Sequence, residues 1–307
     1  MAKATIMQDP REVDLRFRGI FMTDWAVSLA SLGEISRRED ISVNTYRVGE
    51  LFAGITTAPQ SYEGAEYSQY APQPGKTWIV TTGIYKFAFR ASDYLRKYGN
   101  SDQILKYPSL GVQIFDHTIK VQVYNHYNRA FNASYPGLYD PSTTLISTSH
   151  TLANGGTASN RLAADADLSE TSLGAGIELI VKTPNEDGVY MGSAPRTLMV
   201  NTTQWMGATQ ITQGTITGLQ GSGESGNAIN AITRAWNIKP HFSPYITDTD
   251  AWFVIGDRAP VNVVYSEVPN ARPIFIDPMT EDWVWRFYGE FVSVVDDWRG
   301  VVGSQGA

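Results

Sequence analysis

The stretch Pro108–Asn132, PSLGVQIFDHTIKVQVYNHYNRAFN, decides the fold. Val112, Phe115, Ile119, Val123, Tyr127 and Phe131 recur at spacings of three and four, which places them on one face of a long helix. Ser109, just after Pro108, is the expected N-cap. Ile114, Val121 and Tyr124 add apolar area on other faces, so the helix is expected to be covered on more than one side. The pattern stops at Asn132, where Ser134, Pro136, Gly137, Asp140 and Pro141 break the chain. A long polar connection, Leu145–Leu168, follows before Leu168-Ser169-Glu170 restarts a helix. A connection of that length inside a domain is expected to serve function or an interface.

The 307 residues suffice for a large core in one or two domains. Sixteen Tyr and eight Trp favour surfaces that meet other surfaces. A net charge of −7 argues against a broad nucleic-acid-binding face. The absence of cysteine excludes disulfides, thiolate metal sites and cysteine nucleophiles. The opening residues MAKATIMQDPREVDLRF lack an apolar signal region, and no run of about eighteen apolar residues occurs, so a soluble chain made in the cytoplasm and free of membrane is expected.

Outward from the helix, the pattern predicts an α+β chain. Residues 1–41 have too little apolar surface for a core and form an arm, with a short helix at Thr23–Leu32 capped by Thr23 or Asp24. Residues 42–90 form an extended hairpin: strands at Ser42–Thr57 and Lys76–Arg90 flank a Pro-, Gly- and Tyr-rich tip at Ala58–Gly75. Within the second strand Tyr85, Phe87 and Phe89 alternate with Lys86, Ala88 and Arg90. A two-stranded ribbon of this kind is marginal alone and needs a partner surface. Residues 91–195 contain helices at Ser92–Tyr98, about 109–132 and Ser169–Lys182, then a turn at Asn185–Gly188. Further on come a strand at Arg196–Val200, a helix capped by Asn201 or Thr202, a flexible glycine-rich loop at Gly214–Gly226, and strands at Arg234–Lys239 and Ala251–Gly256. Pro273–Ile276, Trp283–Phe287 and Phe291–Val295 close the fold.

No catalytic, cofactor or metal constellation emerges. The glycine-rich loop lacks the Gly-Lys-Ser/Thr ending of a phosphate loop. His117 and His126 stand nine apart and so about 180° round the helix, and neither they nor His150 and His241 have metal-ligand spacing. Ser149-His150 lacks a nucleophile elbow, Asp248-Thr-Asp250 lacks the rest of a calcium loop, and Asp296-Asp297 reads as strand-end solvation. What remains is architecture: an arm, an aromatic ribbon and a helix greasy on several sides, which together predict assembly with further copies.

The ordered set of motifs resembles the major capsid proteins of tailed bacteriophages, with the Hong Kong 97-type fold, and in particular the group of Mu-like major head subunits. Tyr127–Asn132 is similar to that group's N-x-A-F helix end. Leu145–Asn160, with Ser149-His150, Gly155-Gly156 and Ser159-Asn160, resembles its loop; Pro195–Val200 and Tyr245–Asp257 resemble its later strands. The resemblance covers about 108–300. It implies an N-terminal arm (1–41), an extended loop (42–90), a peripheral domain on the spine helix (91–195), an axial domain (196–270) and a return to the peripheral sheet (271–307). It implies no enzyme activity and no cofactor. It further implies pentamers and hexamers closing into an icosahedral virion shell around double-stranded DNA, with a portal, a separate scaffolding protein and a possible decoration or cement protein as partners. No fused scaffold is seen in residues 1–41, and the self-crosslinking trio of some members is not matched, Lys76 and Lys86 being the only ribbon lysines. The residues expected to touch neighbouring subunits are Tyr62, Tyr67, Tyr70, Trp78, Lys86 and Arg90 on the ribbon, with Arg16 and Arg18 on the arm. Three alternatives stand beside this reading: an encapsulin-type nanocompartment, which shares the fold but holds an enzyme cargo, a soluble β-rich enzyme, and a phage tail or adaptor protein.

Overall fold

The computed structural model describes residues 10–30, 32–52, 62, 66, 73–98, 104–132, 143–152, 154–214, 216–217, 228–229, 232 and 235–306. Its helices are α1 (Pro10–Ala30), α2 (Asp93–Tyr98), α3 (Tyr107–Asn128), α4 (Glu170–Val181) and α5 (Trp205–Gln213). Its strands begin with β1 (Ser36–Asp40), β2 (Thr45–Phe52), β3 (Gln73–Thr81), β4 (Gly83–Ala91), β5 (His150–Thr151), β6 (Thr157–Ala158) and β7 (Pro195–Asn201). They continue with β8 (Ile216–Thr217), β9 (Ala228–Ile229), β10 (Lys239–Ser243), β11 (Trp252–Gly256), β12 (Val261–Ala271), β13 (Phe275–Ile276), β14 (Trp283–Val295) and β15 (Val301–Ser304).

Two sheets carry the fold. In the first, β14 lies between β12 and β4, with β13 also on β14 and β1 parallel to β12. The second has the order β10-β7-β11-β15. The inward residues of β14, Trp283, Trp285, Phe287 and Phe291, alternate with outward ones as a half-covered strand requires. Against them pack Phe17 and Phe21 of α1 and Phe115 of α3; Phe17 stacks on Trp285 at 5.3 Å and Phe87 on Phe287 at 4.9 Å. The second sheet is covered on both faces by the same alternation. Leu198, Val200, Trp252 and Val254 face Leu173, Ile177 and Ile180 of α4, while Met199, Phe253 and Ile255 join the first core.

Four expectations need correction. The first helix begins at Pro10, not Thr23, because one apolar residue per turn (Val13, Phe17, Phe21, Trp25) suffices to bury it. Thr23 sits mid-helix, its Oγ1 donating to Gly19 O at 3.0 Å. These residues pack on the chain's own core. Ser109 is not the cap of α3; it lies inside the first turn and its Oγ donates to Asp24 Oδ2 at 2.6 Å, tying α3 to α1. The strand expected at Lys76–Arg90 is two strands broken at Thr82: β3 pairs with β2, whereas β4 pairs with β14. Lys86 and Arg90 therefore belong to the first sheet and not to the ribbon.

The end of the chain differs as well. β12, a strand beyond those the sequence pattern predicts, returns the chain to the first sheet at Val261. β14 is one continuous strand, and β10 starts at Lys239 instead of Arg234. Finally, β15 pairs with β11, so residues 301–304 end in the second sheet. Most of the loop at Gly214–Gly226 and the ribbon tip lie outside the described residues.

Candidate assembly surfaces

The long connection after α3 is locked by one side chain. Asn160 is fully buried; its Nδ2 donates to Leu145 O (2.9 Å), Val301 O (3.1 Å) and Trp298 O (3.3 Å). Its Oδ1 accepts from Ser147 N (2.8 Å) and from His150 Nε2 (2.9 Å), an arrangement that protonates His150 on Nε2. Arg299 completes the lock: Nε donates to Pro184 O at 3.0 Å, its guanidinium pairs with Glu186 and Asp297, and it lies 4.9 Å from the Trp298 ring. His150 and Asn160, carried by the loop motif, are thus packing and hydrogen-bonding residues.

A second seam ties the spine helix α3 to the second sheet. Tyr124 Oη meets His241 Nε2 at 2.8 Å, and His241 Nδ1 meets Glu34 Oε2 at 3.3 Å. Tyr245 stacks on Tyr124 and meets His117 Nδ1 at 2.9 Å, while Asn128 Nδ2 donates to Tyr245 O and Asn128 Oδ1 accepts from Thr247 N. The fourth histidine, His126, is buried against Ser293 Oγ at 2.5 Å, and burial lowers its imidazole to about 4. All four histidines are engaged in joining elements, and the described residues contain no group of three or more His, Asp or Glu fit to hold a metal.

The ribbon β2–β3 is rooted on the first sheet, and Thr77, Trp78 and Ile79 on β3 are exposed. Val48 is buried against Val264 and Val294, with Tyr46 and Val80 beside them. Tyr46 Oη donates to Glu39 Oε2 at 2.8 Å, and Asn262 Nδ2 reaches the same carboxylate at 2.9 Å. Next to them Arg37 pairs with Asp296 at 2.7 Å; burial raises the Asp296 carboxyl to about 6, against the pull of that guanidinium. Arg37, Tyr46, Val48 and Asp296 line a cleft of about 350 Å³ at the foot of the ribbon, together with Arg47 and Arg258.

Of the expected contact residues, Tyr62 is 84% exposed, and Trp78 and its neighbour Ile79 are open to solvent on β3. Lys86 is exposed on β4, and Arg16 is exposed on α1. Arg18 pairs with Asp14 at 2.6 Å and Arg90 with Asp277 at 2.5 Å, so both are held within the chain. Tyr67 and Tyr70 lie outside the described residues. Sequence reasoning passed over other exposed apolar groups, namely Leu15, Met22 and Val27 on α1 and Trp205 and Met206 on α5. Their helices look amphipathic in sequence only once the buried face is known.

This architecture, two sheets bridged by a spine helix with a projecting ribbon, is the Hong Kong 97-type capsid fold. It superposes on a virus-like particle from Pyrococcus furiosus with a TM-score of 0.54 at 10% identity, over 95% of this chain and 99% of that chain. The capsid of the cyanophage P-SCSP1u also gives 0.54 at 10% identity, over 90% and 88%. The holo-SrpI encapsulin complex from Synechococcus elongatus gives 0.50 at 11%, over 100% and 92%. No curated protein matches the sequence significantly. The phage capsid protein family matches residues 79–304, and the chain belongs to that family. It is a major capsid shell protein, and its place is the virion capsid.

Proposed function

We propose that the chain is the repeating subunit of an icosahedral shell around the double-stranded DNA of a tailed bacteriophage, set in pentamers and hexamers. The family match over 79–304 carries this reading. The ribbon supports it: among its described residues Tyr46, Val48 and Val80 pack on the chain's own body, while Trp78 and Ile79 are exposed. Tyr62, Trp78, Lys86 and Arg16 are the proposed contacts with neighbours. The role is mechanical and not enzymatic. Many weak contacts acting together make a closed shell stable, and a chain of net charge −7 lets packaged DNA move along the wall. A portal and a separate scaffolding protein are proposed partners, and the Mu-like subgroup is proposed on the motifs at 127–132, 145–160 and 245–257.

Electron microscopy of the purified protein, alone and coexpressed with the products of neighbouring genes, tests the proposal. Closed icosahedral particles are expected; a monomer under every condition would overturn it. A second reading, a cargo-holding nanocompartment, draws on the fold shared with the encapsulin. Particles that package nucleic acid only with a portal present favour the virion; particles copurifying with an enzyme favour the compartment.

A further inference from the structure

The tip of the β5–β6 hairpin carries a reactive pair that shell building does not use. Asn154-Gly155 is the only Asn-Gly sequence in the chain, and Asn154, Gly155 and Gly156 are all exposed. In such a pair the backbone nitrogen of the second residue can attack the side-chain amide carbon of the first, and a glycine, lacking Cβ, leaves that nitrogen unshielded. The structure fixes each reacting group. Asn154 Oδ1 accepts from Gly156 N at 2.8 Å, so a backbone N–H already lies on the oxygen that gains charge when the carbon is attacked. Asn154 Nδ2, the leaving nitrogen, lies over Gly188, where an added Cβ would stand 3.0 Å from it. Gly155 N, the nucleophile, is occupied: it donates to Leu152 O at 3.0 Å. That bond retains the proton that must depart before the nitrogen can attack.

The hairpin has little strength of its own. Its strands are two residues each, and Leu152 N donating to Gly156 O at 2.9 Å closes its end. Asn160 holds its base through His150 Nε2, and Asn154 N donates to Glu186 O at 3.3 Å. We propose that Asn154 is a self-deamidating residue gated by this hairpin, intact while Gly155 N is bonded to Leu152 O and converted once the hairpin opens. Gly155 N gives its proton to hydroxide and bonds to Asn154 Cγ. The Cγ–Nδ2 bond then breaks, and Nδ2 takes a proton from water and leaves as ammonia. One water opens the resulting succinimide at either carbonyl, so that aspartate or isoaspartate stands at 154. Nothing is oxidised or reduced: one water is consumed and one ammonia released. The new carboxylate lies beside the turn that carries Glu186 and Asp187, and isoaspartate lengthens the backbone by one carbon. Both changes oppose reclosure, so a subunit whose hairpin has opened is marked permanently.

Peptide mass spectrometry of the purified full chain, incubated in mildly alkaline buffer, tests the gate. Asn154 is expected to convert at least tenfold more slowly in the native chain than in the chain unfolded by urea, with isoaspartate as well as aspartate among the products. In the unfolded chain it should convert before any other asparagine. Asn160→Ala, which removes the side chain holding His150, should raise the rate at least fivefold in native buffer. A second measurement needs no variant: in urea below the unfolding transition, the parent's rate at Asn154 should climb while its circular dichroism stays native, the sign of local opening. Conversion as fast in the native chain as in the unfolded one, or a rate indifferent to urea below the transition, would overturn the gate. Aspartate without isoaspartate would mean direct hydrolysis by water and would overturn the attack by Gly155 N.

Discussion

The imidazole of His150 lies flat on the indole of Trp298, with ring centroids 4.1 Å apart and planes within 4° of parallel. The pair joins the connection after the spine helix to the penultimate turn of the chain, 148 positions away by number, and Asn160 clamps both. A loop this polar holds one conformation because its buried amide has all its hydrogen bonds made.

Asn160→Ala should therefore cost more than an ordinary surface change. It strands the carbonyls of Leu145 and Val301 and the amide of Ser147 in the interior. A loss of about 3 kcal/mol or more is expected, read from urea denaturation of the unassembled subunit. A loss within 0.5 kcal/mol, the range of neutral surface changes, would contradict the clamp.

Gly111→Ala tests the fit of α3 on β14. An added Cβ would lie 2.4 Å from Cε1 of Phe287, and that ring is wedged between Phe17, Phe21, Phe87 and Phe89. The gain in helix propensity, about 1 kcal/mol, is expected to be outweighed by overpacking of about 1–3 kcal/mol. A melting temperature unchanged or raised would show that the ring can move.

Asp296 and His126 should produce opposite pH slopes. With the carboxyl raised from 3.8 to about 6, the folded chain keeps a proton between those values that the unfolded chain has lost, so this group makes stability fall as pH rises through that window. With the imidazole lowered from 6.5 to about 4, the unfolded chain holds the extra proton there, and this group makes stability rise with pH. Each is worth up to about 2–3 kcal/mol. Between pH 4 and 7, denaturation of Asp296→Asn should show a steeper fall in stability toward acid than the parent, and His126→Gln a shallower one. Parallel curves would refute both assignments.

Removing residues 53–72 spares the paired strands, since Phe52 faces Gln73 across the ribbon. Joining those two residues by Asn-Gly suits a two-residue hairpin turn. The shortened subunit is expected to melt within a few degrees of the parent yet to form no closed particles by electron microscopy. Normal shells would show that the tip is dispensable.

The sequence by itself determined the local periodicities. Val112, Phe115, Ile119, Val123 and Tyr127 are buried on α3 as their spacing requires, and Tyr85, Phe87 and Phe89 face inward on β4 as their alternation requires. Spacing of this kind is legible because helix and strand geometry repeat every 3.6 and 2 residues. Only the tertiary structure decided which strand β4 bonds to, that β15 ends in the second sheet, and that Pro10–Ala30 is a helix packed on the chain's own core. Strand pairing is a contact between distant residues, and neither partner's pattern names the other. The same holds for the site: Ser149-His150 and Asn160 stand out in sequence, but their hydrogen-bonding role appears only when Trp298 and Val301 arrive from the far end of the chain.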